Sequence, residues 1–71
     1  EALRLGGNAA CVVNAANEVV NLAFRQGKCA FLQMADIISE TLARVTFIKE
    51  PTLEDYLETD RIAREVATSL L

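Results

Sequence analysis

Apolar residues along this chain recur three and four positions apart, the period of helix faces, and no convincing pair of alternating strands accompanies them. The first such run predicts a helix over 8–26, opened by Asn8 as N-cap and closed by Gly27 in the left-handed C′ position. It is apolar over most of its circumference, through Val12, Val13, Ala16, Val19, Val20, Ala23 and Phe24. Against that background Asn14, Asn17, Glu18, Asn21 and Arg25 fall on one strip about 100° wide. Lys28 to Leu32 is expected to be an extended connector, with Phe31 plugging the core. A second helix is predicted over 33–45, with Met34, Ile37, Ile38, Leu42 and Val45 on its buried side and Asp36, Glu40 and Arg44 opposite.

Pro51 turns the chain away from helix at Glu50. Thr52 and Asp55 then form a weak capping box for a short helix over 52–58, with Leu53, Tyr56 and Leu57 as its apolar side. Thr59 or Asp60 reads as a fresh cap for a last helix over 60–70, in which Ile62, Ala63, Val66, Ala67 and Leu70 face inward. The expectation is an all-α bundle of three to four helices, with the first in the middle. Phe24, Phe31, Ile38, Leu42, Leu57 and Val66 are the expected core, and Phe24→Ala is expected to cost about 3–5 kcal/mol.

Length limits what such a bundle can do. Its 71 residues make one domain, and a chain of this size buries only about 60–65% of its unfolded surface. With 52% hydrophobic residues, it carries more apolar surface than a free monomer can hide. Self-association of the isolated chain is therefore expected. The start at Glu1, without a cleavable signal or a long apolar run, reads as an excised piece of a soluble protein. Net charge is −3, and Arg4, Arg25, Lys28, Arg44, Lys49, Arg61 and Arg64 are scattered. Nucleic acid and anionic membrane surfaces both call for clustered bases, so neither fits.

Most catalytic chemistry is missing. Without histidine there is no imidazole metal ligand, no histidine base and no serine triad. No phosphate loop or dinucleotide fingerprint occurs. Cys11 and Cys29, at opposite ends of the first helix, are roughly 25 Å apart, too far for a disulfide. Free thiols point weakly to a reducing compartment. Cys11 reads better as a small packed residue than as an activated thiolate. Glu54, Asp55, Glu58 and Asp60 lack the spacing and turn glycine of a calcium loop, and acids suit helix starts anyway. Gly6-Gly7-Asn8 is more naturally a flexible joint with a cap than an anion site. No catalytic, cofactor-binding or metal-binding residue is assigned.

The strip is different. Asparagine is a poor helix former because its amide competes for backbone hydrogen bonds. Three on one face favour docking against neighbouring backbone over a solvated face or ligand contact. Asn14, Asn17, Glu18 and Asn21 are therefore assigned structural or interdomain roles.

Gly6-Gly7, Val13-Asn14-Ala15-Ala16-Asn17-Glu18-Val19 and Ala23-Phe24 resemble the start of the C-terminal domain of 1-deoxy-D-xylulose 5-phosphate reductoisomerases. Phe31 with Ala35-Asp36-Ile37 is similar to that family's connector and second helix. Leu53-Glu54-Asp55-Tyr56-Leu57, Asp60 and Ala63-Arg64-Glu65-Val66-Ala67 are similar to its closing segment. Lys28 to Met34 is less family-like than its flanks.

The resemblance implies a non-catalytic helical C-terminal domain of a larger oxidoreductase/isomerase of the non-mevalonate isoprenoid pathway. NADPH and a divalent metal (Mg, Mn or Co type) would bind in domains outside this chain. The parent would convert 1-deoxy-D-xylulose 5-phosphate to 2-C-methyl-D-erythritol 4-phosphate. It would be a homodimer, cytoplasmic in a bacterium or plastid in a plant or alga, and its own catalytic domain would be this chain's partner. The alternative from another class is a stand-alone helical protein-interaction module.

Overall fold

The computed structural model describes residues 6–71; Glu1 and Arg4, named above, lie outside them. The described residues form three helices and no strand: α1 (Ala9–Arg25), α2 (Phe31–Arg44) and α3 (Leu53–Ser69). α1 packs against both of the others. Val12 and Ala15 near its start meet Val45 and Ala63. Ala16, Val20 and Ala23 further along meet Cys29, Ile37 and Ala67. α2 therefore runs antiparallel to α1, and α3 returns parallel to it.

The end of α1 follows from a glycine. Gly27 has φ +74°, its N–H donates to the Phe24 carbonyl, and that of Lys28 donates to the Ala23 carbonyl at 2.8 Å. This is the double closure of a Schellman motif. α2 begins at Phe31, two residues earlier than the periodicity predicts, because Gln33 reaches back to accept from the Ala30 N–H at 2.9 Å. Phe31 thereby sits in the first turn and is 69% exposed instead of plugging the core. Cys29 is the connector residue that joins the core.

α3 opens as predicted. The Asp55 N–H donates to Thr52 Oγ1 and the Thr52 N–H to Asp55 Oδ2. The predicted break at Thr59 or Asp60 does not occur. Asp60 pairs forward with Arg64 at 2.9 Å, and Arg61 spans Glu58 and Glu65. Helix-spaced pairs of this kind support a continuous helix across a segment whose composition also suits a cap. The 52–58 and 60–70 helices are therefore one.

The core is made of smaller side chains than expected. Ala15, Ala16, Ala63 and Ala67 are completely buried along the α1–α3 contact. Helices that meet through alanine approach closely, which leaves no room for rings between them. Phe24, Phe31 and Leu57 consequently lie outside, while Ile38, Leu42 and Val66 pack partly buried against the core. The predicted inner faces of α2 and of the second half of α3 hold. Leu53, Tyr56 and Leu57 are exposed.

Candidate functional site

Two groups of asparagines bracket the chemistry this fold can offer. The first is a single residue. Asn8 occupies the N-cap position of α1, but its side chain caps nothing. It is 1% exposed and uses its amide on the α2–α3 connector. Nδ2 donates to the Thr46 carbonyl at 2.9 Å and to the Thr59 hydroxyl at 3.0 Å. Oδ1 accepts from the Ile48 N–H at 2.8 Å, and the backbone N–H of Asn8 donates to the Ile48 carbonyl. Both amide hydrogens and the carbonyl oxygen are matched, as a buried amide requires.

Gly7 allows this approach. Its φ is +57°, and a Cβ there would strike the Ile48 carbonyl oxygen. The expected flexible joint is a clamp. Sequence reasoning missed Asn8 and Thr59 in this role; the available signal was a threonine in a charged stretch, Glu58-Thr59-Asp60, facing a glycine-flanked asparagine.

The second group is the predicted strip. Asn14 and Asn17 are exposed and Asn21 partly so. Asn21 Nδ2 donates to the Asn17 carbonyl at 2.8 Å and to Asn17 Oδ1 at 3.0 Å. Glu18 leaves the row and accepts from Arg64 of α3 at 2.7 Å. The structure thus joins Asn17 to Asn21 and Glu18 to α3; no hydrogen bond reaches the Asn14 side chain among the described residues. A shallow basin between α1 and α3 is lined by Asn17, Glu18, Asn21, Leu22, Arg25 and Arg64.

The remaining candidates are engaged in local contacts. Asp55 is held in the capping box, while Glu58 and Asp60 are paired with arginines. The Arg61 guanidinium beside Glu58 holds its carboxyl below the usual range. Partial burial, reinforced by Asp60 and opposed by Arg64, pushes the Cys11 thiol up, the reverse of an activated thiolate. Both cysteines are free. Among the described residues no group of three or more His, Cys, Asp or Glu could hold a metal ion. No described helix is long and apolar enough to cross a membrane.

Comparison with known proteins identifies the scaffold. The family model for the DXP reductoisomerase C-terminal domain matches residues 1–66. A 1-deoxy-D-xylulose 5-phosphate reductoisomerase of Phocaeicola vulgatus is 58% identical over the whole chain, which covers 19% of that relative. The Bacteroides fragilis enzyme of the same name is 46% identical over the whole chain, covering 18% of it. That of Acidithiobacillus ferrooxidans is 43% identical over 94% of the chain and 17% of the relative. The chain thus spans less than a fifth of the length of these relatives. No solved structure matches it. The stand-alone adaptor is not favoured by these likenesses: from its first residue through α1, α2 and most of α3, the chain belongs to the DXP reductoisomerase C-terminal domain family.

Proposed function

We propose that this chain is the non-catalytic C-terminal scaffold of a longer reductoisomerase polypeptide, which it braces through the outward face of α1. The parent would rearrange 1-deoxy-D-xylulose 5-phosphate and reduce the product with NADPH to 2-C-methyl-D-erythritol 4-phosphate, assisted by a divalent metal. The family match over residues 1–66 carries this reading.

The residues present do not fit either cofactor. Of the acids of α3, Asp55 is committed to a cap and Glu58, Asp60 and Glu65 to arginines. The two adjacent glycines precede a clamped asparagine and not an open phosphate loop. No step of the reaction is therefore assigned to these side chains. Asn14, Asn17, Glu18 and Asn21 take structural and interdomain roles. The parent is a homodimer in the bacterial cytoplasm, or in a plastid if the source is a plant or alga.

Exposed Phe31, Leu32, Leu53 and Leu57 support self-association of the isolated chain, which sedimentation over a concentration series checks. The functional test compares the full-length parent with a version lacking residues 6–71. Substrate-dependent NADPH oxidation is expected in the first, strongly reduced in the second and absent from the isolated chain. Undiminished turnover without these residues would overturn the scaffold reading.

A further inference from the structure

The row of amides lies on the side of α1 turned away from its buried face, with Asn17 and Asn21 at the edge of the basin toward α3. At about 100° per residue, Asn14, Asn17 and Asn21 lie opposite the buried Val12, Ala16, Val20 and Ala23. Their local bonds leave a defined pattern outward. Asn17 Oδ1 accepts from Asn21 Nδ2, so the Asn17 amide nitrogen remains a donor and the Asn21 oxygen an acceptor. A peptide group offers the complementary pair. Neighbouring positions on a helix face are roughly 5–6 Å apart, close to the roughly 6.7 Å between alternate residues of an extended chain.

The two sides of the row add an anchor and a charge. Phe24 stands beside Asn17 and Asn21, with Phe31 edge-on to it at a centroid distance of 6.0 Å. The two rings are 44% and 69% exposed. On the other side Arg25 has no carboxylate partner among the described residues, whereas Arg44 has one and Arg61 and Arg64 have two each. Aromatic rings beside unspent donors and acceptors are the usual composition of an interface centre.

We propose that this face docks an extended segment of the same polypeptide from outside these residues. Asn17 and Asn21, continued by Asn14 one turn earlier, read its peptide groups, the Phe24–Phe31 pair holds one of its apolar side chains, and Arg25 pairs with one of its carboxylates. The inference rests on the scaffold reading above and names what that scaffold grips. The relatives are more than five times the length of this chain, so such a segment has a source. A second copy presenting the same face is a poorer occupant. Its only carboxylate there, Glu18, is already held by Arg64, so it brings no free acid to Arg25.

The test uses the full-length parent carrying Asn14→p-benzoylphenylalanine. Irradiation is expected to give a cross-link within one polypeptide, to an acidic peptide outside residues 6–71, at a yield unchanged by dilution. No cross-link, or a cross-link only between two copies, overturns the proposal. In the same protein Asn17→Ala is expected to lower the melting temperature by about 2–4 °C, although alanine is the better helix former. A melting temperature that rises or stays put overturns it as well. Deleting residues 6–71 separates the two levels. If deletion is harmless the scaffold reading fails. If deletion is harmful while Asn14 captures nothing, only the docked segment is wrong.

Discussion

Asn8 and Asn14 carry the same side chain within two turns of each other, yet the fold treats them in opposite ways. Asn8 is sealed between α1, the α2–α3 connector and α3, with every amide group matched. Asn14 lies open on the far face of α1. A buried amide replaces water with fixed partners, so each partner left behind on its removal carries a desolvation penalty. An exposed amide exchanges partners with water at little net change. One stabilises the domain, and the other contributes little to it.

The comparison breaks most sharply at Asn8. Asn8→Ala strands the Ile48 N–H, the Thr46 carbonyl and the Thr59 hydroxyl, and about 3–5 kcal/mol of stability should be lost. The urea midpoint of the variant measures it; a loss below 1 kcal/mol would mean that water replaces the clamp.

The apolar counterpart pairs Ile37 with Phe24. Ile37 is 7% exposed and Phe24 44%, so Ile37→Ala should cost about 2–4 kcal/mol and Phe24→Ala only about 1–2 kcal/mol. The latter is well under the expectation for a core phenylalanine. Thermal melts of the two variants side by side decide the order.

Glycines give a smaller contrast. Gly7 and Gly27 both have positive φ, but only Gly7 is pressed against the Ile48 carbonyl. Gly27→Ala should cost about 1–2 kcal/mol for the left-handed backbone alone. Gly7→Ala should exceed it because the clamp must also open.

Asn14→Ala completes the series from the exposed side. In the isolated domain it should stabilise by about 0.5 kcal/mol through helix propensity, the reverse of Asn8→Ala.

The smallest effect concerns pH. The Cys11 thiol is raised from 9.0, first by burial and then by Asp60. Its contribution is complete below that value and declines as pH rises past it, because the unfolded thiol ionises first. Cys11→Ser should flatten this alkaline slope. Glu58 runs the other way: its carboxyl is lowered from 4.5, so its stabilisation is present above that pH and fades on acidification.

Much of this was legible along the chain. The periodicity in 33–45 and 60–70, the Gly27 stop and the Thr52–Asp55 box are local features, governed by a few neighbouring residues. They hold in the structure. The amide strip was equally visible, since helical spacing alone places Asn14, Asn17 and Asn21 together. Its outward direction was not, because a helix with several apolar sides leaves open which one the neighbours cover.

Three features were decided only when the helices met. Thr59 lies inside α3 and its hydroxyl serves Asn8 from across the domain, a contact between residues far apart in sequence. The ring of Phe24 stays outside, while the α1–α3 seam closes on alanines. Asn8 became a clamp instead of a cap because the connector arrived with unmatched peptide groups. Local sequence determined the stop of α1 at Gly27, the start of α3 at Thr52 and the greasy side of α2, since contacts along one segment suffice for that. Which polar group is buried, and which ring is shut out, depended on the fit between segments, and that exists only in three dimensions.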